Sequence, residues 1–132
     1  MMFDHEKLRV YQLSLDFNEW VGNLLDKVKP KIAVCDHLDD ASSSISLNIA
    51  EGNGKFTSKD RCKYFDIARG SALECAGTID VLVRRKKIMK EDSIPGKQML
   101  LEIVSMIVGL IKSNSDRVFE PDEEYHINNE TE

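Results

Sequence analysis

Ile45-Ser46-Leu47-Asn48-Ile49-Ala50-Glu51-Gly52-Asn53-Gly54-Lys55, followed by Phe56-Thr57-Ser58-Lys59-Asp60 and then by Phe65-Asp66-Ile67-Ala68-Arg69-Gly70-Ser71-Ala72-Leu73-Glu74, decides the fold. It reads as a helix ending on glycine, a short polar loop, and a second helix opening on hydroxyl residues. Gly52 stands where a C′ glycine belongs, able to turn left-handed without Cβ strain. Thr57 or Ser58 is the expected cap of the next helix, with Asp60 at capping-box spacing from Thr57. That helix carries the clearest seam in the chain: Cys62, Phe65, Ala68, Ala72, Cys75, Ile79 and Leu82 recur every three or four residues. Gly70 and Gly77 each cost about 1 kcal/mol of helix propensity against alanine, which predicts that close packing compensates them.

Outward from this stretch the helical period continues. Leu8, Tyr11, Leu15, Phe17, Val21, Leu24 and Val28 predict a first helix from about Lys7 to Lys29, capped by Asp4 and closed by Pro30. A second runs from near Ala33 to Glu51, with Val34, Leu38, Ala41, Ile45 and Ile49 inward. Its run Ala41-Ser42-Ser43-Ser44 has loop composition, but the apolar spacing crosses it without a phase change. Ser93 and Pro95 open a fourth helix, apolar on more than one side between Met99 and Ile111. A four-helix bundle covers one broad face of each helix, so the surplus predicts burial between subunits. The expected organisation is a bundle over 3–115 and an acidic, disordered tail over 116–132.

Composition limits the function. The 132 residues are 42% hydrophobic and 31% charged, ordinary for a soluble domain. No unbroken apolar run approaches the roughly eighteen residues of a membrane span, and the N-terminus lacks a signal pattern. Cys35, Cys62 and Cys75 form no C-x-x-C and lie in helical apolar patterns, so all three are expected as reduced core thiols in cytoplasm. The net charge of −5 hides an uneven distribution. Residues 116–132 carry seven acids and one base, leaving 1–115 at +1, while 51–90 alone hold ten bases against five acids.

Little in the chain can do chemistry. His5, His37 and His126 are scattered, and none has a partner four residues away on a helical face. Asp36-His37-Leu38-Asp39-Asp40 is better read as acids favoured at a helix N-terminus than as a metal site. Gly52-Asn53-Gly54-Lys55 resembles part of a phosphate loop, but Phe56 follows the lysine and a helix precedes it, which excludes a P-loop. Two phosphate-binding possibilities survive. One is the start of the third helix, with Lys55, Lys59, Arg61, Lys63 and Arg69 around it. The other is the run Arg84-Arg85-Lys86-Lys87, which also suits a helix C-terminus.

Ala41 through Gly52 resembles the first signature of the four-helix-bundle proteins encoded in 23S rRNA intervening sequences. Ile67 through Glu74 is similar to the second signature. The resemblance spans about 3–113 and implies an all-α, antiparallel up-down-up-down four-helix bundle that assembles as a ring-shaped homopentamer. It also implies kinship with accessory proteins of the reverse transcriptases of diversity-generating retroelements. Asn48, Glu51, Gly52, Gly70, Ser71 and Glu74 carry over as motif positions, with Asn48, Glu51 and Glu74 expected to tie the second helix to the third. The reading is a non-enzymatic adaptor, without cofactor or metal, whose partners are its own copies and RNA or a ribonucleoprotein. The alternative is a structural or protein-binding homo-oligomer, for example a reverse-transcriptase accessory, that does not touch nucleic acid.

Overall fold

The computed structural model describes residues 2–115; the expected acidic tail lies outside them. A short 3-10 helix, Asp4–Lys7, precedes four α-helices: α1 Arg9–Asp26, α2 Ala33–Gly54, α3 Ser58–Arg84 and α4 Lys90–Ser115. No strand occurs among the described residues. Each helix packs on its neighbours in sequence, and α1 closes against α4. One core results, its largest fully buried side chains including Phe17, Phe65, Leu38, Ile45, Ile49, Ile79, Leu82, Ile103 and Ile107. The α3 seam is buried as its spacing predicts from Phe65 through Leu82, with Cys62 half-buried at the edge.

The serine run is helical because its hydroxyls all find partners. Ser42 donates to the Asp39 carbonyl at 2.9 Å and, with Ser43, accepts from Asn18 of α1. Ser46 meets Ser14 at 2.8 Å, and Ser44 meets Ser71 of α3 at 2.8 Å. Thr57 caps α3 by accepting from the Asp60 N–H at 3.1 Å.

Helix boundaries move at three places. Leu8, not Asp4, is the N-cap of α1, and the Asp4 carboxylate instead accepts from Asn53 at 3.0 Å. At its far end α1 stops at Asp26, where the Lys27 N–H turns back to the carbonyls of Leu24 and Leu25. In α4 the helix begins at Lys90, before Ser93 and Pro95, because Asp92 accepts from the Met89 N–H and closes the first turn. By length and composition α4 could cross a membrane. Here Leu100, Ile103, Ile107 and Ile111 are buried in the core.

The glycines reverse their expected roles. Gly52 is not a left-handed C′ residue: α2 runs on to Gly54, and among the described residues no glycine has positive φ. A Cβ on Gly52 would meet the Phe65 ring at 2.9 Å and the Tyr64 Cβ at 3.1 Å, so the missing side chain seats α3 against α2. Gly96 plays the same part for the Trp20 ring, joining α4 to α1. Gly70 and Gly77, expected at close contacts, are exposed with nothing within 4 Å. Gly52→Ala should therefore destabilise by about 1–3 kcal/mol through overpacking. Gly70→Ala and Gly77→Ala should each stabilise by about 1 kcal/mol. Urea denaturation of the three variants checks both signs.

Candidate nucleic-acid interface

The expected cations fall at two ends of α3. Lys59 and Arg84 lie about 37 Å apart along the helix axis at 1.5 Å per residue, so they form no single strip. At the first end most of the cations are engaged in holding the fold. Arg61 is half-buried and donates through Nη1 to the Asn53 carbonyl at 2.6 Å and through Nη2 to Asn53 Oδ1 at 3.3 Å. Its Nε donates to Oδ1 of the buried Asn114 at 3.1 Å, and its guanidinium lies over the Phe65 ring. Arg61 thus clamps the ends of α2 and α4 to the start of α3.

Lys55 pairs with Glu51 at 3.3 Å and lies over the Tyr64 ring, which Lys63 also approaches. Arg69 is held by Asp66 at 3.0 Å. Lys59 and Lys63 are exposed, and of this group only Lys59 makes no ion pair, hydrogen bond or ring contact through its side chain among the described residues.

The other motif positions divide. Asn48 donates to the carbonyl and hydroxyl of Ser44, which in turn meets Ser71, so the expected tie from α2 to α3 runs through two serines. Glu51 serves Lys55 within its own helix end, and Glu74 is exposed; neither bridges to the other helix.

The opposite end is different. Arg84, Arg85 and Lys86 are exposed and Lys87 is half-buried, and none makes an ion pair among the described residues. Lys86 takes φ 61, the left-handed position that glycine usually fills. The Lys87 N–H then reaches back to the Leu82 carbonyl at 2.9 Å, which turns the chain toward α4. Lys27 and Lys87 line one cavity of about 540 Å³, which brings the connection after α1 to the connection after α3. Lys29 and Lys31 belong to that first connection and are exposed.

Lys27 and Lys29 suit the negative end of the α1 dipole, which gives them a local explanation; Lys31, beyond Pro30, has none. The alternation Lys27-Val28-Lys29-Pro30-Lys31, apolar residues between lysines, is the signal that could have found them.

Nucleophilic chemistry has poor material here. Burial pushes the Cys75 thiol up to about 12, with the Glu74 carboxylate adding to the shift. Cys62 is also raised by burial, and its Sγ donates to the Ile111 carbonyl. Among the described residues no three His, Cys, Asp or Glu side chains gather as a metal site would require. The division of cations has a measurable consequence. Arg61→Ala should cost about 2–3 kcal/mol, because it leaves the Asn114 oxygen buried without a donor. Arg84→Ala and Arg85→Ala should stay within about 0.5 kcal/mol of wild type. Thermal melts of the three variants distinguish the clamp from the exposed end.

A family model described as 23S rRNA-intervening sequence protein matches residues 6–109. No curated protein matches the chain. One solved structure, a protein of unknown function from the S23 ribosomal protein family of Bacteroides thetaiotaomicron, superposes with a TM-score of 0.75 at 23% identity. The match covers 78% of this chain and 98% of that one, and at this identity it concerns the fold alone. With residues 6–109 of its 132 matched by one family model, the chain belongs to the 23S rRNA-intervening sequence protein family.

Proposed function

We propose that the protein is a non-enzymatic adaptor that binds RNA or a ribonucleoprotein through the cationic end formed by Lys27, Lys29, Lys31 and Arg84 through Lys90. One observation carries the reading: these cations come from two separate connections and make no ion pair among the described residues. Cations placed this way suit phosphate contacts, which are salt-sensitive and independent of sequence. The reading assigns no catalytic residue and no cofactor, and takes the cytoplasm as the site of action.

Assembly belongs to the same proposal. Consecutive helices alternate in direction, and copies join in a ring-shaped homo-oligomer, five by the family likeness. Support comes from a groove of about 270 Å³ between α3 and α4, lined by Ala72, Leu73, Ala76, Leu100, Leu101 and Val104, with Lys97 at its edge. Leu101 is 74% exposed and Leu73 51%, and exposed apolar side chains gathered in one groove mark association sites. A ring would repeat the cationic end and raise its effective concentration toward one nucleic acid. The same groove favours the second reading, a homo-oligomer that binds a protein such as a reverse transcriptase and leaves nucleic acid to its partner.

Filter binding of RNA across a salt series separates the two. Changing Arg84, Arg85, Lys86 and Lys87 together to alanine should flatten the log–log salt slope by up to about 3 for a single strand. Weak retention that is identical in wild type and variant overturns the adaptor reading. For assembly, light scattering should show an oligomer that Leu101→Glu dissociates. A monomeric wild type at working concentration refutes it.

A further inference from the structure

The bundle leaves an apolar surface uncovered between α3 and α4, and the chain leaves α4 at the end of it. Two hollows there, of about 270 and 520 Å³, share Leu73, Leu101 and Val104 in their walls and form one groove. Small residues widen it: Ala72 and Ala76 on α3, Ser105 and Gly109 on α4. A Cβ placed on Gly109 would have nothing within 4 Å, so the groove has room for a ring there. We propose that residues 116–132 of the same chain occupy this groove, with Phe119 at Val108 and Gly109 and Tyr125 toward Leu73 and Leu101, and that they compete there with a second copy. The inference rests on the assembly reading above and adds the regulation of that contact.

The point of exit favours an occupant from the same chain. Ser115 is buried and donates to the Ile111 carbonyl at 2.6 Å, and Cys62 of α3 donates its Sγ to that carbonyl at 3.7 Å. Residues seven apart stay within about 20° of one helical face. Cys62 therefore shares a face of α3 with Arg69 and Ala76, and Ser115 shares one of α4 with Val108 and Leu101, which line the groove. Back from Ser115, Val108 lies about 10 Å away along the helix and Leu101 about 21 Å. An extended chain spans about 3.3 Å per residue, so Phe119 reaches about 13 Å and Tyr125 about 33 Å, enough for both contacts. A short linker also gives its segment a millimolar effective concentration, so even weak affinity fills the groove ahead of a dilute second copy.

Charge points the same way. Residues 51–69 together with Lys112 hold six cations against three acids, Glu51, Asp60 and Asp66. On the groove itself Arg69 and Lys97 are already paired, with Asp66 and Asp80, whereas Lys112 is exposed and makes no ion pair among the described residues. Lys59, two seven-residue steps before Leu73 on α3, is exposed and equally without an ion pair. Residues 116–132 carry seven acids and one base, with Val118, Phe119, Tyr125 and Ile127 among them. An acidic segment bearing aromatic side chains thus follows directly on an apolar groove whose near end has cations in excess.

Carbodiimide joins a carboxylate to a lysine amine that touches it, and Lys97 lies about 27 Å along α4 from Ser115, too far to be linked by tethering alone unless the segment runs down the groove. Full-length protein in equal unlabelled and 15N-labelled portions is mixed in urea, refolded, cross-linked and digested, beside the full-length Phe119→Ser/Tyr125→Ser variant. Wild type should join an acid between Asp122 and Glu130 to Lys97 in peptide pairs of a single isotope. The variant should lose that link at least fivefold, keep the link to Lys112, and assemble in light scattering at about one tenth of the wild-type concentration. Mixed-isotope links to Lys97 place the segment on a neighbouring copy and overturn the proposal. A Lys97 link that is absent from wild type, or as abundant in the variant, overturns it as well, and so does assembly of both proteins at the same concentration. If neither protein assembles at any concentration while wild type alone gives the single-isotope link, the seat in the groove stands and the assembly reading falls.

Discussion

The Phe65 ring lies where a side chain on Gly52 would be, and the meeting of α2 with α3 depends on that exchange of volume. Because Gly52 lacks a Cβ, the ring is fully buried and the two backbones approach closely at the end of α2. Arg61, one turn before Phe65, lies over the same ring and donates to Asn53 and Asn114. The last carbonyls of a helix have no partner within it and need a donor from outside. Here that donor and the hydrophobic seat are one turn apart on α3, so apolar packing and polar satisfaction specify the same register. Asn53 also donates to Asp4, which brings the segment before α1 into the cluster.

Away from that end the helices are kept in register by small polar side chains. Ser14 with Ser46, Asn18 with Ser42 and Ser43, and Ser44 with Ser71 connect α1 to α2 and α2 to α3. A hydrogen bond of this kind adds only about 1 kcal/mol net, whereas leaving one partner unpaired in the interior costs more. Its main effect is therefore to penalise a slip of one helix against the next. No buried side-chain nitrogen or oxygen among the described residues lacks a partner, so the penalty holds along the whole seam. Between α1 and α4 the corresponding device is steric, the Trp20 ring against Gly96.

Periodicity made most of the fold legible. Apolar spacing identified four helices, including α2 through its serine run and the buried seam of α3 from Phe65 to Leu82. What it could not supply was the partner of each special residue. A glycine near a helix end looks the same whether it turns the chain or receives a ring, and Phe65 lies thirteen residues beyond Gly52. Gly70 and Gly77 looked like packing residues for the same reason, yet they face outward. Arg61 was one cation among ten until Asn114, fifty-three residues away, proved to be its acceptor. The lysines after α1 had a sufficient local explanation in the dipole, and only the tertiary structure brings them to the turn after α3.

Magnitudes decide whether the dipole explanation is sufficient there. The ends of α1 and α3 each contribute about half a negative charge, confined to the last turn. Against that stand Lys27, Lys29, Lys31, Arg84, Arg85, Lys86, Lys87 and Lys90. Of the nearby acids, Asp80 is already paired with Lys97 at 2.6 Å, leaving Asp26, Asp36, Glu91 and Asp92, whose hydrogen bond from the neutral Met89 N–H does not cancel its charge. The dipoles and these acids together fall short of the cations, so a positive surplus remains at an end where packing has no use for it. The clamp end shows the converse: Arg61, Lys55 and Arg69 are tied to groups of the fold itself. At physiological salt a surface surplus acts over only about 8 Å. It can therefore act only on a partner in contact.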